Sequence, residues 1–170
     1  MGETQGDPRA AVEAGPERGR GVAGRASGGA VRFWDSSVVV PLLVSEPATA
    51  GREKQLRADP VMLVWWGTPV ECASALQRLV RDGALREGDA KSAETRLRQL
   101  ERWWVEVEPT QNVRRQAERL LRLHPLRTAD ALQLAAALVA CQHDPAALIF
   151  LTADERLADA ARREGFPVGE

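Results

Sequence analysis

Short apolar runs that alternate with helical patterns constrain the fold of this chain more than any other feature. From Val31 onward the sequence predicts strands at 31–35, 61–65, 104–108, 147–151 and 167–168. The predicted helices lie at 36–44, 47–58, 68–81, 87–102, 110–123, 128–142 and 154–164. Strands separated by helices are typical of a parallel sheet that is covered on both faces. We therefore expect an α/β fold with a central, mostly parallel sheet of four to five strands.

Four acidic residues lie where a predicted strand ends or a predicted helix begins. They are Asp35, Glu71, Asp130 and Asp154. Strand ends and helix starts meet at one edge of a parallel sheet, which is where such folds bind ligands. Four carboxylates gathered there would repel one another unless cations lay between them. Because hard divalent ions prefer oxygen ligands, the set of four favours a metal-dependent phosphoryl-transfer site.

Each of these acids also has a purely local interpretation. Asp35 can cap the helix at 36–44, and Asp154 can cap the helix that follows it. Thr68 and Glu71 have the spacing of a capping box, in which Glu71 accepts a hydrogen bond from the Thr68 amide. Asp130 lies in a first turn, where a negative charge suits the helix dipole. These interpretations stay open for single residues, whereas the set of four points to one site.

Composition limits the class of protein. The 170 residues carry a net charge of −1, which argues against a basic protein that coats nucleic acid, and the length fits one domain. Cys72 and Cys141 lie in apolar helical patterns and are predicted to be buried free thiols of a reducing compartment. The sequence has neither a membrane-spanning apolar stretch nor a secretion signal, so we expect a cytoplasmic protein with no membrane partner.

Residues 1–30 differ from the rest of the chain. They hold 8 of the 14 glycines and contain no Leu, Ile, Phe or Trp. Such a segment buries too little apolar surface to offset its ordering entropy, so it is predicted to be disordered. Alternatively it is not translated at all, because Val31 can be encoded by an alternative start codon. The folded domain is therefore expected at 31–170, and the glycine-rich string at 19–24 follows no strand and gains no functional weight.

Some basic and aromatic residues could contact a nucleic acid. Arg115 shares one helix face with Arg119 and Arg122, a pattern that fits RNA phosphates but is also typical of a solvated face. Arg127 lies three residues before Asp130 and could either offset the acids or position a phosphate. The two tryptophan pairs at 65–66 and 103–104 could stack on bases, although packing in the core or at a subunit interface is the simpler interpretation.

Four short motifs surround the acids in a fixed order. They are FWDSS at 33–37, Glu71 near its helix start, RTADALQLA at 127–135 and LTADERLADAA at 151–161. In order and spacing they resemble the motifs of a PIN domain, and most closely those of the VapC-type toxins of VapBC toxin–antitoxin systems. The resemblance extends from Arg32 to Gly165.

This resemblance implies the toxin of a type II toxin–antitoxin pair, a Mg²⁺- or Mn²⁺-dependent endoribonuclease. Cleavage would proceed by in-line attack of a metal-activated water, a task that suits a divalent ion. The resemblance assigns metal binding and catalysis to the four acids, and it places Ser37 and Thr152 beside them as supporting hydroxyls. It also implies a cognate VapB-type antitoxin, an RNA substrate and a homodimer.

Two alternatives remain open from the sequence. One is a housekeeping PIN nuclease that acts in RNA maturation or on DNA flaps, and the other is a catalytically silent PIN module used for assembly. The intact set of four acids argues against the silent module. An acid–base ribonuclease with two histidines is not expected, because the chain has only His124 and His143 and the first lies in a helix-breaking turn.

Overall fold

The computed structural model describes residues 31–44 and 61–169, together with the single positions 51, 54 and 56. Residues 1–30 and most of the predicted helix at 47–58 lie outside the described residues. The described strands are β1 (Arg32–Trp34), β2 (Met62–Trp65), β3 (Val105–Val107), β4 (Ile149–Leu151) and β5 (Val168–Gly169). The described helices are α1 (Ser36–Leu43), α2 (Thr68–Arg81), α3 (Glu87–Leu100), α4 (Gln111–Leu123), α5 (Thr128–Ala140) and α6 (Glu155–Arg163).

The five strands form one sheet in the order β3-β2-β1-β4-β5, and every neighbouring pair is parallel. The chain first builds the sheet outward from β1 through β2 to β3. It then crosses to the other side of β1 and adds β4 and β5. The order therefore reverses between β1 and β4, and in open parallel sheets a crevice at the carboxyl ends of such strands is the usual ligand site.

Helices cover both faces of the sheet, as the alternating pattern predicts. One core packs α1, α2 and α3 against Trp34, Met62 and Val64. The other packs α4, α5 and α6 against Phe33, Leu63 and Phe150 on the opposite face. Successive residues of one strand point to opposite faces, which is why neighbours such as Phe33 and Trp34 belong to different cores. The predicted α/β fold with a parallel sheet is confirmed.

Local sequence signals explain where the helices begin and end. Thr110 caps α4 by accepting a hydrogen bond from the Val113 amide, and Pro69 occupies the first turn of α2, where the missing N–H costs nothing. After α2 ends, Gly83 adopts a φ of 72°, a left-handed conformation that glycine takes without strain. Helix α5 is apolar around most of its circumference, and its buried residues lie on several sides, as expected for a central helix.

The structure corrects several details of the expectations. The strand predicted at 147–151 begins only at Ile149, because Pro145–Ala147 form a short 3₁₀ turn before it. Cys72 is buried, but Cys141 at the end of α5 is only half-buried; both are free thiols. Each tryptophan pair is divided between core and surface, so packing in the core is confirmed for one member of each pair, and packing at a subunit interface stays a prediction for the other. The buried members are Trp65 and Trp104, whereas Trp66 and Trp103 are exposed.

The helix face of Arg115, Arg119 and Arg122 is not uniformly solvated. Arg115 and Arg122 are exposed, but Arg119 turns toward the carboxylate of Glu164 and forms an ion pair with it. His124, which ends α4, lies on the other side of the same carboxylate, with 2.8 Å between His124 Nε2 and Glu164 Oε1. The solvated-face interpretation is therefore wrong for Arg119. None of the helices within the described residues is long and apolar enough to cross a membrane.

Candidate active site at the carboxyl edge of the sheet

Asp35 lies directly after β1, and its side chain is 4% exposed. It caps α1: its Oδ2 atom accepts hydrogen bonds from the Ser37 amide at 3.3 Å, from the Ser37 hydroxyl, and from the Thr152 hydroxyl at 2.9 Å. All of these donors are uncharged. The pKa of Asp35 is raised to about 6, chiefly by burial and also by the nearby charge of Glu71, which together outweigh the hydrogen bonds from Ser37 and Thr152 that lower it.

The hydroxyls of Ser37 and Thr152 connect Asp35 to the loop that carries Asp154. Ser37 Oγ accepts a hydrogen bond from the Ala153 amide at 2.9 Å, and Thr152 Oγ1 accepts one from the Asp154 amide at 3.1 Å. The two hydroxyl oxygens are 3.3 Å apart. The ends of β1 and β4 are therefore joined by side chains as well as by the backbone ladder, and both predicted hydroxyl residues lie beside Asp35.

Glu71 reaches the same edge from the first turn of α2. Gly67 caps this helix, and a Cβ atom at position 67 would lie 2.5 Å from the Trp65 indole nitrogen, so glycine allows α2 to begin directly after β2. Glu71 Oε2 accepts hydrogen bonds from Ser36 Oγ at 2.7 Å and from Gln133 Nε2 at 2.9 Å.

The predicted capping box between Thr68 and Glu71 is therefore wrong. Because α2 begins at Thr68 itself, the capping position belongs to Gly67, and the Glu71 carboxylate is left to reach other donors. Those donors come from the starts of α1 and α5 rather than from its own helix.

Asp130 and Asp154 occupy the other side of the site. Asp130 Oδ2 accepts a hydrogen bond from the Arg127 amide at 3.3 Å, and Asp154 Oδ1 caps α6 by accepting one from the Leu157 amide at 2.9 Å. Burial raises the pKa of Asp130, and so does the charge of Asp154, while the amide hydrogen bond and the positive charges of Arg127 and Arg156 act against this. Asp35, Asp130 and Asp154 thus interact with the first turns of their helices, as the local interpretation predicts, and they also lie at the same edge of the sheet.

The four acids approach one another as two pairs. The first consists of Asp35 and Glu71, and the second of Asp130 and Asp154, and in each pair the charge of one member raises the pKa of the other. Within the described part of the chain, no three acidic, histidine or cysteine side chains lie close enough together to form a ready-made metal cage. The structure therefore brings all four acids to one edge of the sheet without closing them into a single cluster.

The four carboxylates share one feature. In each, a single oxygen accepts all of the hydrogen bonds that the described residues provide, and the other oxygen accepts none. The bonded atoms are Asp35 Oδ2, Glu71 Oε2, Asp130 Oδ2 and Asp154 Oδ1. One oxygen of every acid is thus fixed in position while its neighbour retains its capacity to accept a ligand.

This donor set fits a hard divalent cation. Mg²⁺ usually keeps several waters and takes only one or two carboxylates from the protein, so a pair of acids is sufficient. Cys72, which follows Glu71, does not compete as a soft ligand: burial and then the charges of Glu71 and Asp35 raise the pKa of its thiol to about 12. The residues present therefore favour oxygen coordination of Mg²⁺ or Mn²⁺.

Two clefts open beside the acids. One, of about 390 Å³, lies between α1 and α2 and runs from Ser36, Ser37 and Glu71 to Arg78. The other, also about 390 Å³, begins at Thr152 and Asp154 and follows α6. Of the two arginines considered as RNA contacts, Arg127 is exposed at the start of α5 beside Asp130. Arg115 is exposed on α4 and makes no hydrogen bond to any of the four acids within the described residues.

Sequence reasoning missed two residues of this site, Ser36 and Gln133. The first was noticed only as a neighbour of Asp35, and the second only as part of an apolar helix. A polar side chain one turn after Asp130 on a helix with so little polar surface was the signal that could have identified Gln133. Ser36 had no comparable signal, because its partner lies 35 positions away.

The fold and its acidic edge define an α/β protein of the class that binds ligands at the carboxyl ends of parallel strands. The chain belongs to the PIN domain family, whose pattern matches residues 32–163. No curated protein matches the chain. PIN domains are generally metal-dependent nucleases, so this membership supports a nuclease and, in coarse terms, a hydrolase.

Proposed function

We propose that this protein is a metal-dependent endoribonuclease and the toxin of a type II toxin–antitoxin pair. The observation that carries the proposal is the hydrogen bonding of the four acidic side chains. Each is held by uncharged donors or a backbone amide through one oxygen, and each keeps its second oxygen without a hydrogen bond from the described residues. Carboxylates held in this way at one edge of a sheet are suited to a cation supplied from outside the chain.

Asp35, Glu71, Asp130 and Asp154 would hold Mg²⁺ or Mn²⁺. When bound, such an ion supplies an acidified water and relieves negative charge on the phosphate. Ser37 and Thr152 fix the orientation of Asp35, and Ser36 fixes that of Glu71. Arg127 offers a positive charge beside Asp130, where it would meet a phosphate oxygen of the substrate.

Histidine chemistry does not fit the site. His124 is buried against Glu164 at the end of α4, and His143 is exposed just after α5, at the opposite end of that helix from Asp130. Neither can serve as a general base beside the four acids. The proton of the attacking water is therefore assigned to the metal-assisted route rather than to a side chain of the chain itself.

The toxin role, the RNA substrate and the partners rest on the motifs that resemble VapC-type toxins. A VapB-type antitoxin would inhibit the enzyme by placing a basic residue among the four carboxylates. A homodimer is supported by the exposed side chains of Trp66 and Trp103, which are 50% and 79% accessible. We assign the protein to the cytoplasm as a further part of this proposal.

The test is induction of the chain in a bacterial host, with the wild type compared with Asp130→Asn. The matched control is Asp144→Asn, the same change at an exposed acid that precedes the 3₁₀ turn near the other end of the sheet. Growth and the 5′ ends of cellular RNA are then measured. We expect growth arrest and a discrete new cleavage site with the wild type and Asp144→Asn, and neither with Asp130→Asn.

The other outcomes assign the function differently. Arrest by all three proteins would mean a toxicity that does not use the carboxylates, which contradicts the proposal. No arrest with any of them, combined with cleavage of RNA by the purified wild type, would favour a housekeeping nuclease. No arrest and no cleavage would favour a silent assembly module.

A further inference from the structure

Gln133 is the polar residue that links the two acid pairs. It lies on α5, one turn after Asp130, so the two side chains share a face of that helix. Its amide nitrogen donates to Glu71 Oε2 at 2.9 Å and approaches Thr68 Oγ1 at 3.4 Å. Helix α5 thus supplies Asp130 to one pair and a hydrogen-bond donor to the other.

The burial of Gln133 is difficult to explain by folding alone. The residue is 1% exposed in a helix whose other buried positions are Ala and Leu. Its Oε1 atom is buried and has no hydrogen-bond partner within the described residues. Turning the amide over would be unfavourable, because Oε1 would then face the Glu71 carboxylate and the buried amide nitrogen would take the position that has no partner within the described residues. A leucine would fill a similar volume without leaving a polar atom unpaired, so the glutamine contributes something other than packing.

We propose that Gln133 is a positioning residue that holds Glu71 for divalent-metal binding and fixes the distance between the two acid pairs. The inference rests on the proposed function, since it requires that the acids bind a metal. Gln133 and Ser36 both donate to Glu71 Oε2, from helices on opposite sides of the sheet. With Oε2 held from both sides, the orientation of Oε1 toward the ion is set by the protein before the ion arrives.

The experiment measures Mn²⁺ affinity of the full-length purified protein, using the electron paramagnetic resonance signal of the free ion. Gln133→Leu removes the donor but preserves the volume. Because hydrogen-bond partners of metal ligands typically account for about 10- to 100-fold in affinity, we expect the Mn²⁺ dissociation constant to rise by about that factor. The matched control is Gln77→Leu, in which the lost hydrogen bond, to Glu94, is exposed on the protein surface, and its Mn²⁺ affinity should equal that of the wild type.

A double-mutant cycle separates positioning from a general effect on the fold. If Gln133 acts through Glu71, Gln133→Leu should have no further effect on Mn²⁺ affinity in a Glu71→Gln background. A similar loss in both backgrounds, or an unchanged affinity of the folded Gln133→Leu protein, would overturn the inference. Gln133→Met, which keeps the unbranched shape of the side chain, replaces the leucine variant if that protein does not fold.

The outcomes also distinguish this inference from the proposed function. Wild-type protein that does not bind Mn²⁺ would remove the metal site and both ideas with it. Wild-type binding that depends on Asp130 but not on Gln133 would leave the proposed function in place and overturn the positioning role alone.

Discussion

Two carboxylates of this protein, the buried Asp35 and the partly buried Glu164, are held in opposite ways. Glu164 at the end of α6 accepts hydrogen bonds from Arg119 and His124, and Arg119 brings a positive charge. Among the described residues, Asp35 at the end of β1 accepts hydrogen bonds only from hydroxyl and amide donors. Burial alone would raise the pKa of Glu164, but its hydrogen bonds to Arg119 and His124 and the charges of those residues lower it. For Asp35, burial prevails and the pKa rises to about 6.

The difference separates a structural carboxylate from one prepared for a ligand. Glu164 has its partners within the chain: Arg119 lies on α4 and His124 follows it, so Glu164 connects α4 to the end of α6. Asp35 has its hydrogen bonds but no positive partner among the described residues, and its ionised form is therefore costly until a cation binds. Stability and function are thus assigned to different acids.

The largest effect should come from Asp35→Asn. Loss of a metal ligand removes several kcal/mol of transition-state stabilisation, so RNA cleavage should fall about 1,000-fold. When both proteins are free of metal, the variant should nevertheless be more stable than the wild type at pH 8 by about 3 kcal/mol. The reason is that folding of the wild type at this pH buries an ionised carboxylate, whereas the amide of the variant carries no charge. Thermal and urea unfolding of both proteins without metal provides the measurement.

The pH dependence of this gain has a definite sign. The folded pKa of Asp35 is raised above its unfolded value, so its stabilising contribution is complete below about pH 4 and is lost as the pH rises through about 6. The two proteins should therefore be equally stable near pH 4 and diverge toward pH 8. A variant that is less stable than the wild type at pH 8 would contradict the assignment.

Glu164→Gln should have the next largest effect, on stability alone. The substitution removes the negative charge and replaces one of the two acceptor oxygens by an NH₂ donor, so Arg119 and His124 cannot both keep their hydrogen bonds. Hydrogen bonds to charged groups contribute about 2 kcal/mol. Because the folded pKa of Glu164 is lowered, the cost should be present above about pH 4.5 and should diminish as the pH falls through the folded value. Urea unfolding at pH 7 and pH 4 measures it. A change in Mn²⁺ affinity would show that the two regions are not independent.

Thr152→Val should have a smaller effect, confined to the site. It removes one donor to Asp35 while preserving the shape of the side chain, so cleavage should fall about tenfold. The Thr152 hydrogen bond lowers the pKa of Asp35, so its loss should raise that pKa further and move the acidic limb of the pH–rate profile to higher pH. Thr152→Ser, which keeps the hydroxyl, should restore both rate and profile. An unshifted profile in the valine variant would count against the role of this hydroxyl.

The smallest effect is expected for Arg127→Ala, which is compared with Arg115→Ala. Arg127 lies beside Asp130, and the loss of one exposed phosphate contact should raise KM about two- to fivefold. It should also reduce the salt dependence of RNA binding by about 0.7 in the logarithmic slope. Arg115 makes no hydrogen bond to the acids within the described residues, so its removal should change both quantities less. Equal changes in KM and in the salt dependence for the two substitutions would contradict this prediction and would indicate that the RNA also contacts α4.

The fold was largely predictable because its signals are local. Periodicity predicted the described strands and helices, and capping chemistry predicted the roles of Asp35 and Asp154 at helix starts. The order of the strands could not be predicted from local signals, since it depends on where each helical connection returns the chain to the sheet. Arg119 was misjudged for the same reason, because its partner Glu164 lies 45 positions further along the chain.

The candidate site was predictable as a set of residues but not as an arrangement. The four acids could be selected from their positions at strand ends and helix starts. Their division into two pairs, and the single bonded oxygen of each, depend on side-chain directions that no spacing in the sequence encodes. The role of Gln133 could not be predicted, because it depends on a hydrogen bond to Glu71, which lies 62 positions away in the sequence.

The hydrogen bond between Asp35 and Thr152 has a consequence for biosynthesis. The two residues touch at 2.9 Å but are separated by 117 positions, because the central strand β1 is made early and its neighbour β4 late. Closing a loop of that length costs about 4 kcal/mol of chain entropy, and the contacts of β4 with β1 can offset this cost only after β4 has left the ribosome. A growing chain therefore carries Asp35 without the Thr152 hydroxyl, and without Asp130 and Asp154, through most of translation, so the acidic edge of the sheet is assembled only after β4 has been made.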